Sequence, residues 1–351
     1  VAQSPDRGRA IEFFLMRDNT LNAFALPGAF IGVHSGLILA AESESELASV
    51  LAHEIGHVTQ RHIARQIAGQ ERSGWATLAA LALAILVARS NAQAAQAAVV
   101  GAQAASIQSK LNYTREYERE ADRTGVELLN KSGFDSRGAV SFFERLQRAN
   151  RVYDTNAPQY LLTHPLTSDR IADIQNRVAQ LPNKKAADSL DFQLVRAKLR
   201  ALFHPTKDAL RYFEGLRQET ASSNTDGAVV ASFGLATVLR RMNDFPGAEK
   251  ALAPARKNTF NAMTENLAAK IKRDLKDPKA AIGIYQAGLK RFGDSRALSY
   301  GYAETLIETN ESKQALAFLA DRLLLTSSDA DLYDLQGKAY AAQGKKLLQH
   351  Q

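Results

Sequence analysis

His53-Glu54-Ile55-Gly56-His57 sets two imidazoles four residues apart with a carboxylate beside the first. In a helix, positions i and i+4 stand one above the other on the same face, so both rings can reach one metal ion. Glu54, next to the first ring, can take a proton from a water that the ion activates. A catalytic zinc takes three protein ligands and keeps one position open. The third ligand must therefore come from another segment and be His or a carboxylate. Tyr117-Glu118-Arg119-Glu120-Ala121-Asp122 offers one. Glu118 and Asp122 share a helical face, so Glu118 can ligate while Asp122 accepts a hydrogen bond from a ligand histidine. Glu116 and Glu120 fall on other faces and read as solvated.

These residues need elements to hold them. Ser43 or Ser45 can cap a helix with Glu46 nearby, and Leu47, Val50, Leu51, Ile55 and Val58 recur at helical spacing. Ala48, Leu51, Ala52 and Ile55 give that helix an apolar side, and a buried His-Glu-His without a metal would be costly. Upstream, Ile11–Leu15, Leu21–Leu26 and Phe30–His34 read as strands, punctuated by Asp18-Asn19, Pro27-Gly28 and Ser35-Gly36. Residues 111–130 and 137–150 read as further helices. Ser73 to Ala88 is sixteen residues without a charge. A spanning helix needs about 20, so a buried or lid helix is expected there, with peripheral membrane contact through 73–109 as the alternative. Pro182-Asn183-Lys184-Lys185 breaks the pattern and marks a boundary between domains 1–185 and 186–351.

With the upstream Asn22-Ala23-Phe24-Ala25-Leu26-Pro27-Gly28 and Val33-His34-Ser35-Gly36-Leu37, the two motifs resemble the M48 peptidases, the group that includes the CAAX proteases, over roughly residues 10–180. The resemblance implies a metalloendopeptidase with one Zn2+ per chain, His53, His57 and Glu118 as ligands and Glu54 as general base. Asp122 would steady a ligand histidine. Asn22, Ala23 and Phe24 would offer an exposed strand edge to an extended peptide substrate. His164, in Thr163-His164-Pro165-Leu166, recurs as a His-Pro pair in that family. It reads as an oxyanion stabiliser, as a fourth ligand that latches the resting enzyme, or as a plain turn residue. His62 is expected on the zinc helix past the ligand face, in a structural role, and His34, His204 and His350 show no companions.

The second half repeats itself. Ala197, Ala236, Ala269, Ala303 and Gly337 head successive helix pairs, the last three intervals being 33, 34 and 34, and Ala209, Ala248, Ala281 and Ala315 follow the first four by twelve. This resembles the tetratricopeptide repeat. The fold class is thus α+β, mostly α: a zincin-like metallopeptidase domain with a small β-sheet, followed by an all-α tetratricopeptide-like solenoid. Repeats joined to an M48-like domain resemble the family's periplasmic branch. That implies a bacterial-envelope location, unfolded or misassembled proteins as substrates, and the outer-membrane β-barrel assembly machinery or its clients as partners. A chaperone-like binding module with latched or rare proteolysis is the competing reading.

Composition narrows the rest. Among 351 residues there is no cysteine, which removes disulfides, thiolate zinc fingers, iron–sulfur clusters and cysteine nucleophiles. The net charge of +7 is spread evenly, with 20 basic and 18 acidic side chains before residue 186 and 24 and 19 after it. No clustered basic stripe marks a nucleic-acid binder. Val1-Ala2-Gln3-Ser4-Pro5 has neither a basic nor an apolar signal region and reads as no signal peptide.

Overall fold

A computed structural model describes residues 2–4, 6, 8, 10–68, 114–152, 159–220, 226–326 and 328–344. The expectations for 73–109 and His350 lie outside the described residues. Contacts divide the chain into two compact units, Val1–Asp188 and Ser189–Gln351.

The first unit opens with a three-stranded sheet in the order β1-β3-β2, formed by β1 (Glu12–Met16), β2 (Ala23–Leu26) and β3 (Phe30–His34). β1 runs parallel to β3, and β2 antiparallel to it with Ala23 opposite Val33 and Leu26 opposite Phe30. The hairpin between β2 and β3 turns through Gly28 at φ 92° and Ala29 at φ 69°, and only glycine reaches the first of these without strain. His34 is buried and has company, its Nδ1 lying 2.8 Å from Thr20 Oγ1. After the short α1 (Ser35–Ala40) comes α2 (Glu44–Thr59). Ser43 caps α2 by accepting from the Glu46 amide at 3.2 Å, and Glu44 and Glu46 place negative charge at the positive end of the helix dipole. Buried Glu46 is bound in turn by Arg145 and by Ser141 Oγ at 2.8 Å.

α2 stops at Thr59, where the Gln60 amide bonds to the Gly56 carbonyl, and Arg61 adopts φ 54°. His62 therefore does not lie on the α2 helix. It opens a separate helix, α3, over 62–68. The left-handed turn at Arg61 swings His62 back toward His57.

The described part of α4 covers 114–131 and crosses α2 closely. A Cβ on Gly56 would sit 2.9 Å from the Ala121 carbonyl oxygen, and one on Gly125 would sit 3.0 Å from the His53 amide nitrogen. Two glycines thus set how near the Glu118 helix can come to the His53 helix. α5 (Arg137–Val152), α6 (Gln159–Thr163) and α7 (Ser168–Ala179) complete the unit. Its interior includes Val50, Ile55, Leu129, Phe142, Leu146 and Ile174.

The second unit is helical throughout its described residues: α8 (Leu190–Phe203), α9 (Thr206–Glu219), α10 (Asp226–Arg241), α11 (Phe245–Asn258), α12 (Ala262–Asp274), α13 (Pro278–Arg291), α14 (Arg296–Glu308), α15 (Ser312–Leu325) and α16 (Ala330–Ala342). Asn243, Lys276, Asn310 and Gly344 are left-handed at intervals of 33, 34 and 34, ending α10, α12, α14 and α16. Asp244, Asp277 and Glu311 amides then reach back to the Leu239, Lys272 and Leu306 carbonyls, the pattern that closes a helix with an αL residue. Ala197, Ala236, Ala269, Ala303, Ala209, Ala248, Ala281 and Ala315 are all buried where paired helices meet, whereas Gly337 is half-buried. The first interval departs from the 34-residue period between α9 and α10: Ala209 still follows Ala197 by twelve, but Ala236 follows Ala209 by 27, where the later repeats have 21 and 22. No helix among the described residues is long and apolar enough to cross a membrane.

Candidate metal centre

α2 places His53 and His57 on its face toward α4, and their Nε2 atoms lie 3.0 Å apart. α4 supplies Glu118, with Oε2 at 3.4 Å from His53 Nε2 and Oε1 at 3.3 Å from His57 Nε2. The loop after α6 supplies His164, whose Nδ1 stands 3.3 Å from His53 Nε2 and 3.1 Å from Glu118 Oε1. Donor atoms held 2.0–2.1 Å from a tetrahedral zinc are separated by about 3.3–3.4 Å, and these five distances bracket that value. All four groups offer donor atoms within 4.8 Å of one another. Three imidazoles and a carboxylate on that spacing fit a divalent metal.

Glu54 sits beside this set, 1 % exposed, with Oε1 at 3.4 Å from His164 Nε2. Neither of its oxygens has a well-formed hydrogen-bond partner. Burial pushes its carboxyl above the usual range, opposed by His164, His53 and, last, the Ala25 amide. A buried, unpaired carboxylate with a raised pKa is what a general base requires.

The other groups are tuned differently. Burial pulls His53 down, but its bonds to the accepting Asp122 and Glu118 carboxylates overcome it and raise it to about 10. Burial takes His57 to about 3 despite the bond to Glu118. Burial would raise Glu118 too, yet His164, His53 and His57 together hold it well below the carboxylate range. His57 is thus neutral and ready to ligate at neutral pH, whereas a metal must displace a proton from His53.

Asp122 lies one turn beyond Glu118 and brings Oδ1 to 2.9 Å from His53 Nδ1, so the ring is steadied on the side away from Glu118. Behind it stands a residue whose part the sequence did not reveal. Arg170, on α7 and 2 % exposed, donates from Nε and Nη2 to Asp122 at 2.7 and 2.8 Å. Its Nη1 reaches Glu118 Oε2 at 3.0 Å and the Pro165 carbonyl at 2.7 Å. One buried cation therefore ties both carboxylates to the His164 loop. Tyr160 adds to that loop's support, stacking on His164 with centroids 4.6 Å apart.

Glu120, expected to be solvated, is part-exposed but is also paired. Its Oε2 lies 3.0 Å from His62 Nε2 and 2.5 Å from Arg65 Nη1, and His62 Nδ1 lies 2.9 Å from His57 Nδ1. The positions were visible in the sequence, but the turn at Arg61 that joins them was not.

The strand edge is redefined by its register. The His34 amide donates to the Asn22 carbonyl at 3.0 Å. Bonded and non-bonded pairs alternate in an antiparallel ladder, so Asn22 and Phe24 spend their backbone groups on β3. Ala23 and Ala25 turn theirs outward. The expected exposed edge is corrected by burial: Asn22 and Ala23 are buried, Phe24 is part-exposed, and the outward Ala25 amide is directed to the Glu54 carboxylate.

Comparison with known proteins is consistent with this centre. The model of peptidase family M48 matches residues 1–178, and a tetratricopeptide repeat model matches 273–339. A Vibrio cholerae relative is 48% identical over 203 residues, 58% of this chain and 42% of its own length. The beta-barrel assembly-enhancing protease of Escherichia coli K12 is 34% identical over 334 residues, 94% of this chain and 67% of that protein. A mitochondrial metalloendopeptidase of Schizosaccharomyces pombe is 31% identical over 174 residues, 50% of this chain and 48% of that one. The chain spans between 42% and 67% of the length of these three relatives.

Proposed function

The chain belongs to peptidase family M48, and from that premise we propose that it is a zinc-dependent endopeptidase of unfolded or misassembled envelope proteins, with residues 1–185 cutting and residues 186–351 docking partners. The observation that carries the reading is the His53, His57, Glu118 and His164 donor set with the unpaired Glu54 carboxylate beside it. His53, His57 and Glu118 would hold the ion, oriented by Asp122 and Arg170. When bound there, zinc supplies Lewis acidity toward the scissile carbonyl and lowers the pKa of water to about 7.

The remaining work belongs to the chain. An extended peptide would add along the side of β2 away from β3, near the part-exposed Ala25 beside Glu54. Glu54 takes the proton of the attacking water and returns it to the leaving amine. His164 is placed either to stabilise the developing oxyanion or to fill the fourth position at rest. Its Nδ1 distances, 3.3 Å to His53 and 3.1 Å to Glu118, favour the resting latch. A latch suits a protease that meets many unfolded chains during their normal assembly. The name of the Escherichia coli relative supports a part in β-barrel assembly; a periplasmic place at the outer membrane, with the repeat unit contacting the assembly machinery or its clients, is proposed from the resemblance.

The test compares cleavage of an unfolded protein such as casein by wild type and by Glu54→Gln, with zinc content measured in both. Loss of cleavage with zinc retained is expected. Equal background activity in the two would favour the chaperone-like binding module instead.

A further inference from the structure

The two ligand histidines are supported in different ways. His53 presents Nε2 to the centre and meets the Asp122 carboxylate at Nδ1 directly. His57 also presents Nε2 to the centre, yet among the described residues no carboxylate meets its Nδ1. Its Nδ1 faces a third imidazole, His62, at 2.9 Å. His62 then faces the Glu120 carboxylate through Nε2 at 3.0 Å, and Arg65 anchors Glu120 at 2.5 Å.

The protons along this chain are determined. A His57 that ligates through Nε2 carries its proton on Nδ1. That N–H can donate only to an unprotonated His62 Nδ1, so His62 carries its proton on Nε2, where Glu120 accepts it. The reverse order would place a proton on the metal-facing nitrogen. His62 is also held as a rigid plate. It is 3 % exposed and stacks on Tyr117 of α4 with centroids 4.6 Å apart and planes 14° from parallel, and the Arg65 guanidinium lies 4.6 Å from the same Tyr117 ring. The left-handed Arg61, at φ 54°, is what returns the chain to this position directly after α2.

We propose that His62 is a positioning residue for the ligand His57, fixing its tautomer and ring orientation through a hydrogen-bond chain that ends on Glu120 and Arg65. The proposal rests on the metal-site reading above. Partners of this kind usually change metal affinity by about 10–100-fold when removed.

The experiment measures zinc affinity of the full chain by competition with a chromophoric chelator, and the visible spectrum of the Co2+-substituted protein. The variants are His62→Phe, His62→Asn, Glu120→Gln and, as ligand control, His57→Ala. His62→Phe keeps the plate against Tyr117 but removes the acceptor, so zinc affinity should fall by about 10–100-fold and the cobalt bands should shift. In His62→Asn, Oδ1 takes the place of Nδ1, and most of the loss should be recovered. Glu120→Gln, which keeps an acceptor and the fold, should give a smaller loss in the same direction. Wild-type affinity and an unchanged cobalt spectrum in His62→Phe would overturn the proposal. So would an equal loss in His62→Phe and His62→Asn, which would reduce His62 to packing. If His57→Ala binds zinc like wild type, the metal-site reading itself falls, and this proposal with it.

Discussion

Arg170→Met removes one buried guanidinium and keeps most of its apolar stem. The change deletes two charge-assisted bonds to Asp122, at 2.7 and 2.8 Å, and the contact with Glu118 at 3.0 Å. Both carboxylates are nearly as buried as Arg170, and burial alone would raise them. Arg170 and His53 hold Asp122 below its ordinary value, and His164, His53 and His57 hold Glu118 below its own. Without Arg170, two negative groups remain with His53 as their principal charged neighbour. Removing one partner of a buried ion pair costs about 3–5 kcal/mol. For a unit of roughly 190 residues, each kcal/mol moves Tm by about 2–4 °C, so the metal-free variant should melt roughly 6–20 °C lower. Zinc replaces part of the missing positive charge, so the gap between variant and wild type should narrow when both are loaded. Calorimetry in chelator and in excess zinc reads both numbers. The internal control is Arg177→Met, whose i,i+4 pair with Asp173 lies half-exposed at the surface and is worth only about 0.3–0.5 kcal/mol. If Arg170→Met melts like Arg177→Met, the buried-cation argument is wrong.

The sign of the His164→Ala effect separates its roles: higher basal proteolysis with zinc retained marks a latch, and a fall of about 10²–10³-fold marks an oxyanion donor. Asp122→Ala should weaken zinc binding by about 10–100-fold, read by chelator competition, and unchanged affinity would make it a mere carboxylate beside the site. The metal-free protein should be most stable near pH 6.5. With His57 at about 3 when folded, the unfolded chain binds more protons between there and 6.5, so stability falls as pH drops through that window. His53, raised to about 10, stabilises fully below 6.5 and loses that contribution as pH rises toward 10. Urea midpoints in chelator across this range should trace the two limbs, and Asp122→Asn should flatten the alkaline one. A fragment covering 186–351 should fold alone as an almost wholly helical protein, because helix pairs pack chiefly on their neighbours; strand content in its circular dichroism would refute this.

Much of the centre is legible in the chain because its spacing is a property of a single helix. His53 and His57 must share a face of α2, and Glu118 and Asp122 a face of α4, wherever those helices go. The repeat is equally local. Small residues and left-handed helix ends recur together at 33 or 34 residues, since each pair of helices solves the same packing problem. Strand order, by contrast, was not readable. Three short β-prone runs do not say that β3 lies in the middle, nor which backbone groups of β2 it uses.

The sequence by itself therefore determined the chemistry on offer: two imidazoles, a carboxylate and a base at helical spacing, ahead of a repeating helical array. The tertiary structure decided what supports that chemistry. Arg170 and His62 reach the centre because α7 packs against the Asp122 side of α4 and because Arg61 turns left-handed after α2. Neither residue stands at a helical interval from the groups it holds. Contacts of that kind are made by chain reversal and burial, and periodicity along one helix carries no record of them.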